Sequence, residues 1–155
     1  MTQALIPAPP ADVAVYEKVV AEGDLQKLPP ADRVKYYGAV CASLGLNPLT
    51  RPFEYIQLSG KLVLYATRAC TDQLRKIHGV SITKLERTTQ GDIYLVTASA
   101  VDKSGREDTS TGAIYIKGLV GEAYANAVMK TETKAKRRVT LSLCGLGWLD
   151  ESEIE

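Results

Sequence analysis

Between Phe53 and Ile116, runs rich in β-branched and aromatic residues form a hairpin and a three-stranded meander, each with short internal connections, on either side of a helical segment. Phe53 to Leu58 and Leu62 to Ala66 flank Ser59-Gly60-Lys61, a hairpin in which the glycine supplies the turn. Val80 to Glu86, Ile93 to Val101 and Thr109 to Ile116 form three further strands. Gln90-Gly91-Asp92 and Asp102-Lys103-Ser104-Gly105 join them with strong turn chemistry. A parallel pair needs a crossover of a dozen residues or more, so these short connections favour antiparallel pairing.

The flanking segments are helical in period. Asp12 can cap a helix running to about Glu22, with Val13, Tyr16, Val19 and Val20 as its apolar residues, and Gly23 ends it. Pro29 and Pro30 open a second helix whose stripe is Val34, Tyr37, Cys41 and Leu44. Gly45 stops that helix, and Asn47-Pro48 begins a loop. Arg68 to His78 is a third, with Cys70, Leu74 and Ile77 on one side and Arg68, Asp72 and Arg75 on the other. The longest helix runs from about Glu122 to Leu143. The expected class is therefore α+β: an antiparallel β-sheet, hairpin plus three-stranded meander, packed by helices on one face, with a long basic C-terminal helix. The organisation expected is a Pro-rich flexible leader at 1–11, a single core domain at 12–149 and an acidic tail at 150–155.

Length and composition narrow the function classes. A chain of 155 residues accommodates one globular domain. No apolar run approaches the roughly 20 residues that cross a bilayer. Pro7, Pro9 and Pro10 interrupt any signal-peptide pattern, so a cytoplasmic location is expected. Cys41, Cys70 and Cys144 share no metal-ligand spacing and read as buried free thiols. With one histidine, His78, a histidine-rich metal site or a histidine-based triad has little material. No metal or other cofactor is expected.

The net charge of +1 conceals a separation. Residues 130–138 carry Lys130, Lys134, Lys136, Arg137 and Arg138 against Glu132 alone. Asp150, Glu151, Glu153 and Glu155 follow. At 100° per residue, Ala125, Val128, Ala135, Val139 and Leu143 share one stripe of the last helix. Lys130, Lys134 and Arg137 fall on roughly the opposite side, with Arg138 at their edge. Cations repeated at about one turn of 5.4 Å can follow a phosphate backbone. Arg51, Lys61, Arg68, Arg75 and Lys76, near Phe53, Tyr55 and Tyr65, add the mixture of cations and rings that single strands use. The plain alternative is a solvated helix face, with the rings in the core. Glu132 lies close to the apolar stripe. It either pairs with a cation from the sheet or a neighbouring subunit, or reaches solvent at the stripe's edge.

The stretch from Ala127 to Arg138 (Ala-Val-Met-Lys-Thr-Glu-Thr-Lys-Ala-Lys-Arg-Arg) resembles phage single-strand annealing proteins of the RecT, Redβ and Erf superfamily. So do its continuation through Leu141-Ser142-Leu143-Cys144-Gly145-Leu146-Gly147 to Asp150-Glu151 and the front segment Leu44-Gly45-Leu46-Asn47-Pro48 with its hairpin. The resemblance spans about residues 34 to 151. It implies a non-enzymatic protein that binds single-stranded DNA and annealed intermediates without ATP, as a ring or filament of identical subunits. A phage exonuclease or a host single-strand binding protein is the implied partner, inside the bacterial cell or at its nucleoid. By position it makes Lys130, Lys134, Arg137 and Arg138 backbone contacts, with Arg68, Arg75 and Lys61 in the same groove. The absence of a Gly-rich phosphate loop followed by Lys-Ser or Lys-Thr agrees with ATP independence.

Three other readings stand beside it. A double-stranded RNA-binding module also combines three strands with helices, but reads duplex shape and is much shorter. A Mg-dependent nuclease would use Glu132 and Lys134 as a Glu-x-Lys pair. A structural or interaction protein would present the basic face to an acidic partner.

Overall fold

The computed structural model describes the backbone of residues 10–150 and the side chains of residues 16–150; the leader up to Pro9 and the tail from Glu151 lie outside this description. Four helices and five strands follow in the order α1 (Pro10–Glu22), α2 (Pro30–Leu44), β1 (Phe53–Leu58), β2 (Lys61–Ala66), α3 (Arg68–His78), β3 (Ser81–Gln90), β4 (Ile93–Val101), β5 (Glu107–Tyr115) and α4 (Gly121–Leu143). The fold is α+β, as its sequence pattern requires. The hairpin and the meander, however, are two separate antiparallel sheets, β1-β2 and β3-β4-β5.

Local chemistry explains the boundaries. Ser59 and Gly60 both take positive φ (50° and 77°), the tight two-residue turn whose twist suits a hairpin. Lys61 consequently belongs to β2. Pro30 opens α2, and Gly45 closes it in the left-handed region. The Thr67 hydroxyl caps α3 by accepting from the Cys70 amide at 3.4 Å. β3 extends to Gln90, beyond the apolar pattern, because Thr88 and Thr89 pair with Leu95 and Tyr94. α1 begins at Pro10, ahead of Asp12.

Two hydrophobic clusters result. One gathers Val19, Leu25, Leu28, Cys41, Leu46, Phe53, Leu64, Ala66, Cys70 and Leu74 from the first three helices, the segments that follow α1 and α2, and the hairpin, and receives Leu141 and Leu149. The other joins Tyr94, Val96, Ala98 and Ala100 of β4 to Ala135, Val139 and Leu143 of α4. α4 thus belongs to both. Val20, Val34, Ile77 and Ala125, expected on apolar stripes, are exposed. Cys41 and Cys70 are buried free thiols and Cys144 is half-buried. Desolvation pushes the Cys70 thiol up to about 12.

Candidate nucleic-acid interface

α4 is held over the meander by small contacts. A Cβ at Gly112 of β5 would lie 2.7 Å from the Thr131 carbonyl oxygen and 2.8 Å from the Ala135 nitrogen, so only glycine lets the helix backbone come this near. The Thr131 and Thr140 hydroxyls are satisfied within the helix, donating to the carbonyls of Ala127 and Lys136 at 2.6 and 2.7 Å. This seating decides which way each basic side chain points.

The five cations of residues 130–138 separate into three groups. Lys130 is exposed and Lys134 half-exposed, and neither makes a hydrogen bond or ion pair with any described residue. With Tyr65 of β2, Ile114 of β5, Met129, Thr133 and Arg137, they line an open groove. Lys136 lies on the other flank of α4, 3.1 Å from Glu132. Arg137 is buried, which corrects the expectation that it faces outward as a backbone contact, whereas Arg138 is part-exposed but already engaged. The Arg137 side chain is 7% exposed, 3.8 Å from Asp150, with its guanidinium 4.7 Å above the centre of the Tyr65 ring. Arg138 donates from Nε to Asp150 at 2.9 Å and from Nη1 to the Thr111 carbonyl. Tyr65 is accordingly one wall of the groove with a face already occupied by Arg137, rather than a free stacking platform.

Asp150 changes standing as well. Expected at the start of a solvated acidic tail, its side chain is 6% exposed and receives both arginines. A helix face read at 100° per residue assigns Arg137 to solvent, but Tyr65 of β2 and Asp150, returning after Gly147–Leu149, meet it on the inner side.

A second groove lies between α3 and α4, lined by Arg68, Asp72, Arg75, Met129, Glu132 and Lys136, among others. Its charges are mixed and mutually engaged. Arg75 donates to the Thr140 hydroxyl at 2.9 Å and to Asp72, and Arg68 stands 3.6 Å from the same carboxylate. Glu132 takes the first of the two alternatives for it, a cation from the sheet. Arg87 of β3 donates to it at 3.0 Å, and these bonds from Arg87 and Lys136 hold its carboxyl below the usual range. Arg87 was not singled out from the sequence; no local pattern links it to a residue 45 positions away. Met129, 59% exposed, forms the ridge between the two grooves.

The remaining expected contacts lie elsewhere. Lys61 donates to the Glu22 carbonyl at 3.0 Å near the hairpin turn and lines neither groove. Arg51 follows the short turn Pro48–Thr50 with a left-handed backbone and is likewise outside both. Lys76 is exposed on the last turn of α3. Phe53 is buried, and Tyr55 donates its hydroxyl to the Arg33 carbonyl at 3.2 Å. Among the described residues, no cluster of three or more His, Cys, Asp or Glu could hold a metal ion. No helix among them is long and apolar enough to cross a membrane.

Comparison with known protein families, curated proteins and solved structures gives no match.

Proposed function

We propose that the chain is an ATP-independent single-stranded DNA-binding and strand-annealing protein that receives the phosphate backbone along the outer face of α4. One observation carries the binding half of this reading: Lys130 and Lys134, one helical turn apart, stand without partners among the described residues beside a groove edged by Met129, Ile114 and Tyr65. Cations that need not break an existing bond can neutralise phosphate at little cost, and apolar edges beside them suit unstacked bases. The annealing half rests on the sequence resemblance to the RecT, Redβ and Erf superfamily. In this reading no residue is catalytic: neutralised strands repel each other less while their pairing edges stay free. Self-association multiplies weak contacts into a continuous track. The protein would act in the bacterial cytoplasm or at the nucleoid, beside a phage exonuclease or a host single-strand binding protein.

The contact set is narrower than the basic block. Lys130 and Lys134 form its centre, with Arg68 and Lys136 at the adjoining groove, while Arg137, Arg138 and Arg75 hold the fold. Replacing Lys130 and Lys134 by glutamate should weaken oligonucleotide binding by about tenfold or more. For two lost phosphate contacts it should lower the slope of log affinity against log salt by about 1.4. Fluorescence anisotropy on labelled single strands, with annealing of complementary oligonucleotides in the absence of ATP, reads both. Wild-type binding by a folded double variant sinks the assignment.

A further inference from the structure

The two edges of the meander are treated differently. On β5, Arg138 of α4 donates to the Thr111 carbonyl, while the helix itself covers the face that Gly112 shares with Val96. β3, ten residues long, pairs with β4 on one side only, and no described element pairs with its outer side. Such a row of unpaired amides and carbonyls is a template for another strand. Its charges are few and ordered. Arg87 turns onto the α4 face and is tied to Glu132. Lys84 and Glu86 share the open face, 2.8 Å apart, with side chains 64% and 60% exposed. At that exposure the pair adds little to the stability of a single chain.

We propose that β3 pairs antiparallel with β3 of a second copy about a two-fold axis at Leu85, joining two three-stranded sheets into one of six strands. Sheet geometry requires directly opposed residues to lie on the same face, so the axis must pass through a residue, and among the central residues Lys84 to Arg87 the charges choose. An axis at Glu86 opposes two glutamates, and one at Arg87 opposes two arginines. At Leu85 the leucines meet each other, and Lys84 of each copy faces Glu86 of the other. The two internal Lys84–Glu86 pairs then become a quartet of alternating sign. The bulge between Ile82 and Lys84 fits the same register. With Thr83 skipped, Arg87 faces Ile82 and Thr88 faces Ser81, each pair on one side of the sheet. Because the contact is the same patch on both copies, it closes at two. The pairing needs no DNA and leaves Lys130 and Lys134 untouched.

A charge exchange tests it, read as mass by sedimentation across a concentration series of the full chain. Lys84→Glu places two glutamates opposite Glu86 residues, and Glu86→Lys does the converse with lysines. Each single variant should raise the dimer dissociation constant by about tenfold, since like charges directly opposite are destabilising. The double exchange should restore it. An equimolar mixture of the two single variants should form heterodimers that neither forms alone, which loss of folding cannot imitate. A wild-type chain that stays monomeric, single variants that keep the wild-type mass, or a mixture that fails to reassociate would each overturn the proposal. Single-strand binding by the same variants reads the DNA assignment separately.

Discussion

Arg137 and Arg138 are adjacent in the chain and enter different surroundings, yet one carboxylate serves both. Arg137 runs inward beneath the hairpin, over the ring of Tyr65, while Arg138 crosses to the edge of β5. Asp150 meets them from the turn after α4, 2.9 Å from Arg138 Nε and 3.8 Å from Arg137 Nη2. With Arg137 and Asp150 almost wholly out of water, the pair has to be complete to be tolerated. Asp150→Ala would remove a buried carboxylate that serves both arginines. It should destabilise the fold by about 3 kcal/mol, within the range for breaking one side of a buried pair. Trp148, the sole tryptophan, stands two residues away and half-exposed, so its fluorescence through a urea titration measures the loss directly. Lys130→Glu, by contrast, should leave the urea midpoint essentially unchanged, because an exposed side chain without a partner supports nothing.

At the scale of elements, the register of α4 on β5 sets where the groove lies. Gly112→Ala introduces a methyl group against the backbone of Thr131 and Ala135 and 3.2 Å from the Lys134 Cβ. Backbone cannot swing aside as a side chain can, so the helix must lift. A loss of about 1–3 kcal/mol in thermal or urea unfolding is expected, the range for overpacking. A displaced Lys134 should lower single-strand affinity as well. Much of this element was legible in advance. Ala135, Val139 and Leu143 are buried as the 3.6-residue period requires, and the turns at Ser59-Gly60 and Gly91-Asp92 join the strands expected. What a local period cannot carry is a partner far along the chain. Tyr65 beneath Arg137, Asp150 beside it and Arg87 beside Glu132 are all tertiary meetings. They decided which cations remain free. The same blindness hid the division into two sheets, since strand pattern reports each strand's faces and not its neighbours across the fold.

For the molecule as a whole, α4 is the shared member of two cores, with Leu141 in the cluster of the hairpin and first three helices, and Ala135, Val139 and Leu143 in that of the meander. Beside the apolar packing of Ile82 and Leu85, the meander's far strand is tied to this helix by Glu132, which Arg87 reaches from β3 while Lys136 steadies it from within α4. These hydrogen bonds, that from Arg87 foremost, hold the Glu132 carboxyl below its ordinary value of 4.5. A carboxyl lowered on folding contributes stability that is fully present above its unfolded pKa. That contribution fades as pH falls through the lower, folded one. Glu132→Gln should therefore be less stable than wild type at neutral pH, and the gap should close progressively below about pH 4.5. Thermal melts from neutral to strongly acidic pH measure that gap; one that stays constant across the range would show that the Glu132 charge does not tie β3 to the helix. Because α4 is common to both cores, the acid loss should lower one cooperative transition rather than melt the meander alone, and far-UV dichroism and Trp148 fluorescence should follow the same curve.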